Sequence, residues 1–203
     1  MRTSPMSNER LSLVIALIDQ ANAEDPGREV WQGEETPKEL LYGWRMGAWL
    51  EKLDPNPSEA RQIAARAQHI RRWTVPREQY PEGREGYLRW RKFLYRFHAE
   101  QAVAIMSQAG YDEAACAQVR KMIGKEGIKR DADVQLIEDV ACLVFMEHYF
   151  PPFAQKYDED KLIDIVRKTW KKMSDQGHAA ALALAFSDGL GAVVAKALEP
   201  EGD

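Results

Sequence analysis

The spacing of its apolar residues constrains this chain most. From residue 10 onward they recur every three or four positions, in stretches bounded by capping residues and by proline or glycine. That period lays one face of a helix against a core. No stretch shows the apolar–polar alternation of a half-buried strand. The expected fold class is therefore all-α, a single-domain helical bundle.

Ser7-Asn8-Glu9-Arg10 can cap a first helix over residues 10–23, with Leu11, Val14, Ile15, Leu17 and Ile18 as its stripe. Asp25-Pro26-Gly27 is a turn, and 29–35 reads as an irregular surface segment with Trp31 tucked inward. Thr36-Pro37-Lys38-Glu39 supplies an N-cap, a proline at the first helical position and a capping-box carboxylate for a second helix to about residue 53. Pro55-Asn56-Pro57-Ser58 breaks the chain and opens a third helix, 59–73. The segment 74–86 holds two prolines and two glycines. It is expected to be a long loop, with a lid as its role. A fourth helix, 87–109, ends at Gly110, and Asp112 starts a fifth that ends near Gly124. Asp133 starts a sixth, 134–150, stopped by Pro151-Pro152. Its run from Val140 to Met146 is apolar on every side, the mark of a central helix. Asp158 caps a seventh through Trp170, and the alanine-rich stretch 177–198 supplies one or two more. The core helices thus span 36–173, flanked by an N-terminal helix and irregular segment (1–35) and by C-terminal helices (174–203).

A chain of 203 residues buries enough surface to fold without disulfides. Cys116 and Cys142 lie in helical stretches with no metal-type spacing, so a reducing, cytoplasmic setting is expected. The apolar run 11–18 lacks the flanks of a signal peptide. The run 140–146 is far shorter than the ~20 residues that span a bilayer, so no membrane association is expected.

Charge is distributed unevenly. Residues 61–96 carry ten basic and three acidic side chains, a local +7, while the whole chain is −4 and the remainder therefore −11. Such a field favours an anionic partner. It also fits a solvated arginine face paired with acidic neighbours. Trp73, Tyr80, Tyr87, Trp90 and Tyr95 interleave with arginines, a pattern that can stack single-stranded nucleic acid; the helical spacing of Tyr87, Trp90 and Leu94 equally describes a core stripe.

The residues that stand out for chemistry are His69, His98 and Asp139. Asp139 enters the wholly apolar part of its helix, where a carboxylate must be paired, hydrogen-bonded or metal-bound. Two imidazoles and a carboxylate on three helices form a ligand set suited to one divalent metal ion. They also fit a purely structural role, with hydrogen-bonded histidines and Asp139 bridged to Arg66 or Arg72. Arg45, Arg66, Arg72 and Arg89 are candidates for binding phosphate oxygens, and Glu138 or Glu100 for a general base.

The block from Tyr42 to Trp170 resembles a family known only as a domain of unknown function. The carrying segments are Leu41-Tyr42-Gly43-Trp44-Arg45-Met46, Ala64-Ala65-Arg66-Ala67-Gln68-His69-Ile70-Arg71-Arg72-Trp73, Gly86-Tyr87-Leu88-Arg89-Trp90-Arg91, Phe97-His98-Ala99-Glu100 and the run from Leu136 to Phe145. More loosely, the segment around His69, together with His98 and Asp139, resembles the HD superfamily of all-α, metal-dependent phosphohydrolases. Ile70 stands where that family's His-Asp pair has its aspartate, Ala99 follows His98, and Tyr42 and Arg45 occupy the helix that would supply the first histidine. The resemblance thus implies an HD-like domain with at most a mononuclear site. It would bind a phosphorylated small molecule or nucleotide, with a metal-dependent phosphohydrolase as the activity. The alternative is a non-catalytic module for RNA, nucleotide or protein that has lost the metal site.

Overall fold

The structure, a computed structural model, describes the backbone of residues 5–199 and the side chains of 9–199. Among the described residues, ten α-helices and one two-stranded hairpin make it all-α in class, as the periodicity implies. The chain packs as two compact units, one up to Gly127 and one from Ile128 onward.

In the first unit α1 (Pro5–Ala23), α2 (Lys38–Leu53), α3 (Glu59–Arg66), α4 (Gly83–Gln108) and α5 (Glu113–Ile123) surround one core. Val14, Ile18, Met46, Ile63, Ala102, Met106 and Val119 are fully enclosed there. Each large aliphatic side chain so buried contributes about 1.5–3 kcal/mol. Gly43 and Gly47 let α2 approach Arg66 closely: a Cβ at Gly43 would stand 3.1 Å from the Arg66 carbonyl oxygen.

The start of α2 corrects the sequence reading. Thr36 is not its cap. Residues 28–37 are ordered as β1 (Arg28–Trp31) and β2 (Glu34–Pro37), paired antiparallel from Arg28↔Pro37 to Trp31↔Glu34. The turn between them is Gln32-Gly33, both at positive φ (52° and 87°), the backbone of a two-residue hairpin turn. These strands are too short and too polar to show an alternating pattern. With Thr36 in a strand, the cap comes from Asp25, 3% exposed. Its carboxylate accepts from the Glu39 N–H (3.0 Å) and the Gly27 N–H (2.8 Å). Glu39 is thereby free for another partner.

The third helix also differs. It is capped by Ser58 as expected, with Oγ accepting from the Arg61 N–H, but it stops at Arg66. Residues 67–71 form successive turns, followed by a 3-10 turn, Arg72–Thr74. Ala67 and Ile70 are fully buried within that stretch. Arg71 adopts the left-handed region (φ 53°), which costs a non-glycine residue about 1–2 kcal/mol. Its N–H donates to Asn22 Oδ1 of α1 at 3.0 Å, which holds it there. The segment 74–86 is shorter as a loop than expected, because a 3-10 turn (Arg77–Gln79) and an early start of α4 occupy part of it. Arg77 donates to the carbonyls of Tyr80 and Pro81, tying the loop to itself.

The second unit contains α6 (Ala132–Val144), α7 (Phe150–Ala154), α8 (Glu159–Trp170), α9 (Asp175–Leu182) and α10 (Asp188–Leu198). Asp131, rather than Asp133, caps α6, accepting from the N–H groups of Asp133 and Val134. Pro151-Pro152 does not end this stretch. A π-helical turn, Phe145–Tyr149, follows α6, and the prolines sit in the first turn of α7, where a missing N–H is harmless. Phe150, Leu162, Val166, Val193, Val194 and Ala197 form a core cluster. The expected buried centre of α6 is seen in Val140, Leu143 and Val144, all fully enclosed.

Asp25→Ala should lower unfolding stability by about 1–2 kcal/mol, as loss of a helix cap does, measured by urea titration. An unchanged midpoint would contradict the capping assignment.

Candidate functional site

His69 and Arg72 are fixed by the turn that follows α3. Besides the Asn22 clamp, the Gln68 side chain donates back to the Ala64 carbonyl. On the other side, His98 of α4 makes a 2.9 Å hydrogen bond from Nδ1 to the Ile70 carbonyl oxygen. His69 therefore leaves the turn toward the first residues of α2. Its ring stacks on Tyr42, with centroids 3.7 Å apart and planes inclined by 9°.

The two ring nitrogens of His69 face groups of opposite character. Nδ1 lies 3.0 Å from Glu39 Oε2, and Nε2 lies 2.7 Å from an Arg72 guanidinium nitrogen. A guanidinium has donors and no acceptor, so Nε2 must present its lone pair. The proton of the neutral ring is then on Nδ1, donated to Glu39. Arg72 also stands 3.9 Å from the other Glu39 oxygen and 4.8 Å over the Trp90 ring.

The electrostatics follow from burial and from an excess of cations. Burial, then the charges of Arg72, Lys125 and Arg91, hold the His69 pKa well below its usual value. His98, 2% exposed, is pushed down to about 3 by burial and by His69, whose ring centroid is 5.9 Å away. With Nδ1 engaged at Ile70, His98 Nε2 has no hydrogen-bond partner among the described residues. Burial raises the Glu39 carboxyl to about 7 despite Arg72. Arg91 is held by the hydroxyls of Tyr87 and Tyr95, and Lys125 lies 5.5 Å over the Tyr95 ring. Three cations thus act on the neutral His69 ring, and one of them, Arg72, also acts on Glu39.

The residues singled out in the sequence separate into those this cluster contains and those engaged otherwise. His69, His98 and Arg72 belong to it. Arg66 is bound to Asp19 through two contacts of 2.6 and 2.5 Å. Arg45 pairs with Glu29 at 2.6 Å and lies over Trp31. Arg89 and Glu100 are exposed on α4, with Glu100 beside Arg96. Asp139 and Glu138 belong to the second unit. There the Asp139 carboxylate accepts from the Ser174 N–H (2.8 Å), the Ser174 hydroxyl and the Gln135 amide (2.9 Å). A Cβ at Gly177 would meet it at 2.8 Å. This geometry is that of an anchor for the start of α9. Glu138 is buried, 3.9 Å from Lys172.

A metal ion fits these side chains poorly. Both nitrogens of His69 and both oxygens of Asp139 are hydrogen-bonded, and among the described residues no group of three or more His, Cys, Asp or Glu side chains is placed to hold one. The aromatic stripe of α4 packs inward only in part: Trp90 and Leu94 join Val75, Tyr80, Phe93 and Phe97 in an apolar cluster, and Trp90 Nε1 donates to the Val75 carbonyl, while Tyr87 is exposed.

The family model described as Domain of unknown function (DUF4202) matches residues 12–194. The chain belongs to the DUF4202 family. No curated protein and no solved structure matches it, and no comparison returned the HD superfamily. The cluster of Glu39, His69, Arg72 and His98 lies wholly inside the DUF4202 match. Glu39, Arg91 and Lys125 were missed as site residues. Glu39 carried a convincing capping signature, and Lys125 lies far from the arginine-rich segment.

Burial of His98 gives a pH signature. The folded residue stays neutral down to about pH 3, whereas the unfolded chain protonates it below about 6.5. The unfolded state then binds more protons, so this contribution to stability falls as pH drops through that window. Glu39 acts oppositely: it keeps its proton up to about pH 7 when folded and only to 4.5 in the ordinary case, so its contribution is lost as pH rises between them. His98→Asn, whose amide can still donate to Ile70, should flatten the acid side by close to one proton, read from urea unfolding at several pH values. An unchanged acid slope would contradict the assignment.

Proposed function

We propose that the first unit binds a phosphate-bearing small molecule at the cluster around His69. The observation that carries this reading is the Arg72 guanidinium set 2.7 Å from the bare Nε2 of a neutral imidazole, a weak acceptor, with the charges of Arg91 and Lys125 also acting on that ring. A phosphate oxygen, being charged, is a stronger acceptor for that guanidinium than a neutral ring nitrogen. The Arg72 guanidinium, a quarter exposed, would exchange His69 Nε2 for phosphate oxygens, which it can grip in pairs. The unfilled Nε2 of His98 supports the same reading, since a buried acceptor without a partner is uncommon and suits a ligand hydroxyl or a water carried with it. No metal is needed for this binding.

No helix among the described residues is long and apolar enough to cross a membrane. The two cysteines are buried, free thiols, which supports a reducing, cytoplasmic setting as part of the proposal.

Calorimetric titration with pyrophosphate tests the reading. Binding should weaken steeply with added salt. Arg72→Ala should weaken it at least tenfold, as expected for a charged hydrogen bond of about 1.5–3 kcal/mol. A metal chelator should leave it unchanged. Affinity indifferent to Arg72→Ala would contradict the proposal, and affinity lost on chelation would favour the metal site instead.

A further inference from the structure

We propose that His69 is a phosphoryl acceptor: its Nε2 attacks phosphoanhydrides, such as the terminal phosphate of a nucleoside diphosphate, with no metal taking part. This inference rests on the anion-binding reading and gives that site a reaction.

The geometry supplies each requirement of a nucleophilic imidazole. The Arg72 contact obliges Nε2 to carry a lone pair, and that contact faces the group best suited to receive phosphate oxygens. The opposite nitrogen is held by Glu39 at 3.0 Å, which orients the ring; a buried carboxylate orients other catalytic imidazoles in the same way. The Tyr42 stack at 3.7 Å prevents the ring from tilting away. The ring is about a quarter exposed, so a ligand can reach it.

In the reaction, the incoming phosphate draws Arg72 off Nε2, and the Nε2 lone pair forms a bond to phosphorus. The anhydride P–O bond breaks, its electron pair leaving with the departing phosphate oxygen. The ring proton stays on Nδ1, and the Glu39 carboxylate offsets the positive charge on the phosphorylated ring. Water then attacks phosphorus, the P–N electron pair returns to Nε2, and both protons of the water leave with the products, one as the new P–OH hydrogen and the other on a phosphate oxygen. One anhydride and one water become two phosphates, without oxidant or reductant.

The substrate class follows from the neighbours of Nε2. The group in contact with Nε2 is the Arg72 guanidinium, which does not release a proton at neutral pH. An alkoxide leaving group, which needs a proton as it departs, is therefore poorly served. A phosphate leaving group departs as an anion that Arg72 can stabilise. The site should favour anhydrides over alkyl phosphates.

The test uses the full chain, with pyrophosphate as donor and glycerol phosphate as the alkyl comparison. Rapid acid-free quenching and peptide mass spectrometry should place an acid-labile, base-stable phosphoryl group on His69, and pyrophosphate should be hydrolysed far faster than glycerol phosphate. His69→Gln should abolish the adduct and lower turnover by roughly a thousandfold or more, as removal of a nucleophile does. Glu39→Gln, a positioning change, should lower kcat about 100-fold or more while KM moves little. Locating the adduct in the wild-type chain keeps the test sound even if a variant fails to fold. Pyrophosphate that binds with no phosphoryl group on His69 at any quench time overturns this inference and leaves the binding proposal standing. A phosphoryl group found only on another residue overturns it equally. Absence of any pyrophosphate binding removes both.

Discussion

His69 held between Glu39 and Arg72 is the interaction on which the candidate site depends. An imidazole that donates from one nitrogen to a carboxyl and receives a guanidinium at the other has a fixed tautomer and a fixed plane. Neither partner alone would achieve this. Glu39 without Arg72 would leave Nε2 free to bear the proton, and Arg72 without Glu39 would add an uncompensated cation to an already positive enclosure. Much of the first unit serves that placement. Asn22 stabilises Arg71 in the left-handed region, Ile70 and Ala67 sink into the core, and His98 ties the turn to α4. A local conformation that costs energy and is held by surrounding contacts is a recurrent companion of functional sites.

The helical class was legible because it rests on period and caps, and both are local. Ser58, Asp112 and Asp158 cap the helices whose starts they mark, and Gly110, at φ 82°, follows the end of α4. The errors arose where a distant residue overrode a local signal. Thr36-Pro37-Lys38-Glu39 is a sound capping sequence, yet Asp25, brought close by a hairpin of four-residue strands, took the role. Apolar spacing carries through residues 59–73, yet the helix breaks at Arg66 because Asn22, from another helix, captures the Arg71 amide. Pro151-Pro152 looked like a stop and became the start of the next helix.

The site was legible in part for the same reason. His69, His98 and Arg72 are recognisable in the sequence as chemistry-bearing residues. What spacing could not reveal was which carboxylate they meet. Asp139 satisfied the rule that a buried acid needs partners, and it finds them in Ser174 and Gln135. Arg66 and Arg45 likewise found acids on α1 and β1. A charge surplus in the sequence marks an arginine-rich surface, but only the fold tells which arginines already have counter-ions. Arg72 has one that is shared with an imidazole and raised by burial toward neutrality.

The proposed binding and chemistry both depend on the protonation of one ring. Nitrogen-15 correlation spectra of the imidazoles at neutral pH distinguish a protonated from an unprotonated ring nitrogen. The prediction for His69 is a neutral ring with its proton on Nδ1 and a bare Nε2, and Arg72→Ala should relax that preference. A His69 ring protonated on Nε2, or doubly protonated, would contradict the arrangement of Glu39, His69 and Arg72 from which the proposed binding and chemistry follow.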